Sequence, residues 1–229
     1  MSLEPHAYWQ HLDAPGTHAQ TPETIYTDSY PATLPDGRQL VLPIRVLPGD
    51  GSRAVASLIV NQASFAVEDA LAEVMAEQWR SADPDVVVGV PTLGLPLANA
   101  IARRLGHARM VALGTSRKFW YDEELSEPIR SITSPDKGKS IYLDPRMVAL
   151  LEGRKVLVVD DVVSTGTSLA AVLRLLAKAK IEPVGISVAM EQSERWRECL
   201  SSDLVGGALK TPLLRRCREG FVEMASAPS

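Results

Sequence analysis

Apolar and polar positions along the middle of the chain follow two different periods. Apolar runs stand at 86–90 (VVVGV), 110–113 (MVAL), 156–159 (VLVV) and 184–190 (VGISVAM) with almost no polar alternation. Such runs read as strands buried on both faces. Between them, Ala98, Ile101, Ala102 and Leu105 recur at helical spacing, as do Leu169, Val172, Leu173 and Leu176. That stripe marks helices with one buried side. Ser64 is placed to cap an earlier helix in which Val67, Ala70, Leu71 and Val74 fall at i, i+3, i+4 and i+7. Strands alternating with helices predict an α/β fold with a central parallel sheet flanked by helices. Ligands of such sheets bind in the crevice at the strand carboxyl ends, so the chemistry is expected after residues 90, 113 and 159.

The flanks differ. Residues 1–29 are polar and aperiodic and read as an arm or loosely packed extension. Tyr30 to Pro48 reads as two short strands around the turn Pro35-Asp36-Gly37-Arg38, and Ala54 to Val60 as a further strand. A long polar stretch runs from Gly114 to Lys139, followed by a strand at 140–143 (SIYL). After Met190 the pattern weakens to a helix or two. Its basic cluster of Lys210, Arg215, Arg216 and Arg218 reads as a solvated face answered by Glu219 and Glu223. The expected division is 1–60 as arm and strands of a small hood subdomain, 61–190 as the α/β core, and 191–229 as a C-terminal segment contributing to the hood or a dimer contact.

Composition narrows the function classes. Of 229 residues, 45% are hydrophobic and 23% charged, which excludes wholesale disorder. Twenty-four Lys and Arg against 28 Asp and Glu leave a net charge of −4, against a nucleic-acid coat. Cys199 and Cys217 support neither a disulfide framework nor a CxxC site. The histidines (His6, His11, His18, His107) show no metal-ligand spacing. The first residues lack the plan of a signal peptide, so a reducing cytoplasm is the expected setting. Val86 to Ala102 is uncharged for 17 residues. It holds Pro91, Pro96, Gly89, Gly94, Thr92 and Asn99, so it reads as strand, turn and helix, and no membrane partner is expected.

The most informative stretch is 156–176, VLVVDDVVSTGTSLAAVLRLL. An apolar strand runs up to Asp160-Asp161. After two valines, Ser164, Thr165, Gly166, Thr167 and Ser168 open an amphipathic helix. First-turn N–H groups lack intrahelical partners and sit at the positive end of the helix dipole, so hydroxyls and a glycine there suit a phosphate. Two carboxylates beside it suit vicinal hydroxyls or a hydrated Mg²⁺. The loop thus calls for a sugar phosphate. Gly138-Lys139-Ser140 is no Walker A end, because the first glycine's place holds Thr133 and a strand follows.

This stretch resembles the phosphoribosyl-pyrophosphate (PRPP) signature of type I phosphoribosyltransferases. The resemblance covers roughly residues 60–190. It implies that Asp160 and Asp161 bind the ribose hydroxyls and that Ser164, Thr165, Gly166, Thr167 and Ser168 wrap the 5′-phosphate. It implies a pyrophosphate loop at Pro91, Thr92, Leu93 and Gly94, with a non-proline cis peptide at Pro91–Thr92. Many relatives carry Arg or Lys where this chain has Leu93. Arg117-Lys118 resembles the pair that reaches pyrophosphate in adenine- and xanthine-type enzymes. The stretch 114–139 then corresponds to the family's mobile catalytic loop, with Ser131, Ile132 and Thr133 near its hydroxyl position and Glu123 and Glu124 as acid–base candidates. Phe119, Trp120 and Tyr121 are candidates for stacking on the base.

The resemblance therefore implies transfer of 5-phosphoribosyl from PRPP to a nucleobase with release of pyrophosphate. Mg²⁺ would arrive with the substrate and be touched by Asp160 and Asp161 through water. Ser164 stands where hypoxanthine-guanine enzymes carry an acid, which points to an adenine- or xanthine-like purine. A cytoplasmic homodimer completes the expectation. The rival is a PRPP-binding regulator without turnover. Arg117, Lys118 and the lack of a legible DNA-binding segment favour the enzyme.

Overall fold

The computed structural model describes residues 3–131 and 134–224. The chain opens with a hood. Strands β1 (Ser29–Thr33), β2 (Gln39–Val46) and β3 (Arg53–Ala56) pair antiparallel in sequence. The turn between β1 and β2 is the one its residues demand: Gly37 takes φ +89°, and Asp36 accepts from the Arg38 N–H at 3.0 Å. Helix α1 (Phe65–Trp79) follows, and Ser64 caps it by accepting from Val67 N at 3.3 Å.

The core then forms from β4 (Val86–Gly89), helix α2 (Gly94–Arg104) and β5 (Val111–Ala112). A hairpin of β6 (Ser126–Ser131) and β7 (Ser134–Tyr142) intervenes. Strand β8 (Val156–Val163), helix α3 (Thr167–Lys178), β9 (Pro183–Gln192) and β10 (Val205–Thr211) complete the core. Its sheet runs β10-β9-β8-β4-β5, parallel throughout. Alternation along the apolar strands divides the interior in two. Val87, Leu157 and Val159 pack with α1, α2 and the hood, whereas Val86, Val88, Val156 and Val158 pack with α3.

From β4 the chain steps outward to β5, then returns to the other side of β4 for β8, β9 and β10. The strand order therefore reverses between β4 and β8, and the loops after these strands part there to leave a crevice.

Several expectations from the sequence need correction. Residues before 29 are not loosely packed. Tyr8, Trp9 and Tyr26 are buried, and the Trp9 indole N–H donates to the Ser57 carbonyl at 3.0 Å. Asp13 bridges Gln39, and Tyr26 bridges Phe221. Among the described residues the segment after Met190 is built of strands, with only short 3-10 turns at Arg195–Glu198 and Ser202–Leu204. Strand β10 joins the core sheet, and β11 (Leu213–Arg216) and β12 (Phe221–Glu223) complete the hood in the order β1-β2-β3-β11-β12. Glu223 answers no basic cluster but accepts from the hydroxyls of Tyr26 at 2.9 Å and Tyr30 at 3.1 Å.

The stretch 114–139 is not a long structureless loop. It holds a 3-10 turn at Glu123–Leu125 and most of the β6–β7 hairpin, and residues 140–142 end β7 rather than start a core strand. Glu127 in β6 pairs with Arg174 at 3.3 Å and Lys178 at 2.9 Å, which fastens the hairpin to α3. Ile132 and Thr133 lie outside the described residues.

Candidate active site

The two acids lie inside β8, not beyond its end. Asp160 pairs with Val188 of β9, and the ladder continues to Val163 opposite Glu191. Asp160 is buried at 7% exposure, while Asp161 is half-buried. Asp160 Oδ1 accepts from the Asp161 N–H at 2.9 Å, and among the described residues no cation pairs with either carboxylate. Burial first, and the Asp161 charge second, push the Asp160 carboxyl well above the usual carboxylate range. Burial also raises Asp161, against hydrogen bonds that lower it.

The loop after β4 meets these acids directly. Val90 N–H donates to the Val159 carbonyl at 2.9 Å. The Pro91–Thr92 peptide is cis. Gly94 opens α2 in contact with β8. A methyl group on it would lie 2.8 Å from the Asp160 Cα, 2.8 Å from the Val159 oxygen and 2.9 Å from Asp160 Oδ1. Glycine is therefore required for α2 to start against the acids. Pro91 and Leu93 are half-buried and Thr92 is exposed.

On the other side of the acids, Gly166 turns the chain into α3 at φ +76°. A Cβ there would meet the Trp196 carbonyl at 3.0 Å, so the turn is also packed from behind. Gly166 O accepts the first helical bond from Ala170 N at 2.8 Å. Thr165 and Thr167 hydroxyls are 2.6 Å apart. Ser164 and Ser168 line the same cavity, which makes this loop a set of hydroxyl and backbone donors at a helix N-terminus.

That cavity, about 600 Å³, lies between the phosphate-type loop and the hood. It brings in residues that the sequence pattern did not single out: Arg45 and Arg53 from the hood, and Arg195 from the turn after β9. Arg195 Nη2 donates to Ser164 Oγ at 3.1 Å. Nothing local marks these arginines, because a lone Arg in a strand end or turn is ordinary surface composition.

Other expected residues sit apart. Arg117 and Lys118 are exposed in the segment after β5, and Arg117 is ion-paired with Glu123. Phe119 is 96% exposed. Trp120 donates to Asp144 Oδ2 at 3.3 Å and lies under the Arg146 guanidinium, while Tyr121 packs near Tyr142 with ring centroids 6.0 Å apart. None of these three aromatic residues lines the cavity.

Among the described residues no group of three His, Cys, Asp or Glu could hold a metal ion alone. Asp160 and Asp161 supply hard oxygen donors, which fit a hydrated Mg²⁺ that brings its other ligands with a phosphorylated substrate. Among the described residues, no helix is long and apolar enough to cross a membrane.

Comparison with known proteins agrees with this geometry. Residues 59–208 match the model of the phosphoribosyl transferase domain. An orotate phosphoribosyltransferase of Dichelobacter nodosus is 32% identical over 127 residues, 56% of this chain and 51% of that protein. An adenine phosphoribosyltransferase of Xanthomonas oryzae pv. oryzae is 33% identical over 147 residues, 63% of this chain and 72% of that one. A probable purine biosynthesis transcriptional regulator of Streptococcus pneumoniae is 28% identical over 67% of this chain and 54% of its own length. The solved adenine phosphoribosyltransferase of Saccharomyces cerevisiae superposes with a TM-score of 0.56 at 19% identity, covering 73% of this chain and 94% of that one. The chain spans about half the length of the orotate enzyme it matches.

Proposed function

The chain belongs to the phosphoribosyl transferase domain family, and from that premise we propose that it transfers 5-phosphoribosyl from PRPP to a nucleobase, a purine of the adenine or xanthine type. The observation that carries the reading is the contact of Gly94 with Asp160, which joins the loops after β4 and β8 into one crevice.

In this reading Ser164, Thr165, Gly166, Thr167 and Ser168 hold the 5′-phosphate by hydroxyl and backbone donors at the start of α3. Asp160 and Asp161 accept from the ribose hydroxyls and keep the sugar oriented. Pro91, Thr92, Leu93 and Gly94 border the pyrophosphate, with Arg117 and Lys118 approaching from the segment after β5. Mg²⁺ bound to PRPP would supply charge neutralisation for the leaving group, and Asp160 and Asp161 are the residues that would touch it through water. The bond from C1′ to pyrophosphate breaks while a base nitrogen bonds C1′. Positive charge grows on the ribose and negative charge on the pyrophosphate. The chain therefore contributes position and preorganised donors more than a strong nucleophile. Water must be kept out, because hydrolysis of the same bond competes, and the segment 114–139, which corresponds to the family's mobile loop, is the element that would close over the site.

Leu93 and the likeness to a transcriptional regulator favour one other reading: a PRPP-binding regulator without turnover. A panel of nucleobases with Mg·PRPP, read by pyrophosphate release, separates the two. Release with one base and not with others supports the enzyme. Tight PRPP binding with no release for any base assigns the regulator.

A further inference from the structure

We propose that the base taken at this site carries a negative charge, as an ionised oxo-purine or a pyrimidine carboxylate does, and that Arg45, Arg53 and Arg195 select it. The inference rests on the transferase reading and chooses its acceptor by charge, which keeps xanthine, excludes adenine and admits a pyrimidine carboxylate.

The cavity between hood and phosphate-type loop is about 600 Å³, within the range that encloses a small ligand. Its lining includes the three arginines and not one Asp or Glu. Among the described residues none of these three arginines has a carboxylate within ion-pair distance, although Arg38, Arg80, Arg104, Arg117, Arg146, Arg174 and Arg197 do. Arg103, Arg109, Arg154, Arg215, Arg216 and Arg218 share that lack but do not line this cavity, and the charge of Arg53 acts on the exposed Asp50 nearby. In a chain with more acids than bases, three guanidinium groups around one cavity whose lining holds no carboxylate form a local excess of positive charge. Among the described residues the side chain of Arg195 hydrogen-bonds neutral hydroxyls, Ser164 Oγ at 3.1 Å and Ser193 Oγ at 3.3 Å, and forms no ion pair. Arg195 also borders a neighbouring cavity that holds Glu191, Glu194 and Glu198. There Glu194 is taken by Arg197, and Glu191 accepts from Gly207 N at 2.9 Å.

Val55 and Val162 add apolar side chains to the lining, and Val162 follows directly on the acids assigned to the ribose. The charged groups of the lining are all donors. A guanidinium has five N–H groups and no acceptor, and its fork matches a carboxylate or two oxygens of an ionised ring. The exocyclic amine of adenine would set donor against donor there.

The test uses the full chain with Mg·PRPP in mildly alkaline buffer, where xanthine and orotate are anions and adenine and hypoxanthine are neutral. Pyrophosphate release should favour one of the two anions over both neutral bases by about a hundredfold in kcat/KM. Which anion it is separates purine from pyrimidine. The double variant R45Q/R53Q should raise KM for that base about tenfold with kcat little changed, while PRPP affinity measured by calorimetry stays within twofold. A preference for adenine or hypoxanthine overturns the inference and leaves the transferase reading standing. A loss of PRPP affinity with base KM unaltered assigns the arginines to the 5′-phosphate and overturns it too. No release with any base overturns the transferase reading, and the inference with it.

Discussion

Asp160 is a buried carboxyl with no cation to answer it among the described residues. Its elevated pKa means that the folded chain holds the proton more tightly than the unfolded chain does. Stability is then highest below the usual carboxylate range and falls as pH rises through the elevated value. Asp160→Asn keeps the acceptor for the Asp161 N–H and removes the charge. It should raise stability by about 1 kcal/mol at pH 7, with the gain vanishing near pH 3, as thermal unfolding across that pH range would show. The double change Asp160→Asn with Asp161→Asn should abolish PRPP binding while the fold survives; unchanged affinity would remove both acids from the site. Gly94→Ala should cost about 1–3 kcal/mol and weaken PRPP binding, because the added methyl meets β8 backbone that cannot move aside. A circular-dichroism melt matching the parent protein would contradict that. At this scale the acids and the hydroxyl loop were legible because they are contiguous and of unusual type. Arg45, Arg53 and Arg195 were not, because each is unremarkable among its own neighbours.

Elements were legible where a period was strong. Helices α1, α2 and α3 and strands β4, β8 and β9 all stand where their apolar spacing puts them. The reading failed where tertiary pairing overrides local pattern. Strand β8 runs on through two acids because β9 continues the ladder beside it. Strands β10, β11 and β12 form in a weakly patterned tail because β9 and β3 offer edges to pair with. The β6–β7 hairpin is polar in sequence, and it is tied down by charge: Glu127 to Arg174 and Lys178, and Lys178 to the Ser126 carbonyl at 2.6 Å. These pairs are partly exposed, so Glu127→Gln should change global stability by less than about 1 kcal/mol. It should nonetheless speed amide exchange in β6. Exchange in β6 identical to the parent protein would show that the pairs do not hold the hairpin.

At the scale of the molecule, the two ends of the chain meet in one hood. Trp9 is 4% exposed and reaches Ser57, and Tyr26 and Tyr30 share the Glu223 carboxylate. Removing the Trp9 side chain should cost about 3–5 kcal/mol in urea unfolding, far more than trimming a loose arm would. A change of a few tenths would mean that the arm does not pack as described. The overall negative charge set an expectation against anionic partners of the polymeric kind, and the proposed substrate is densely phosphorylated all the same. Backbone donors, hydroxyls and substrate-borne Mg²⁺ carry no weight in a charge count, and three of the arginines that do line one cavity. The amino-acid sequence by itself determined the alternation of strands and helices and the place of the phosphate-type loop, because period, capping and contiguous donors act between near neighbours. The tertiary structure alone decided that Gly94 abuts Asp160, that the arm and tail build the hood, and that three scattered arginines share a cavity. Each of these joins segments far apart in the chain, which only the packing of sheet on hood brings together.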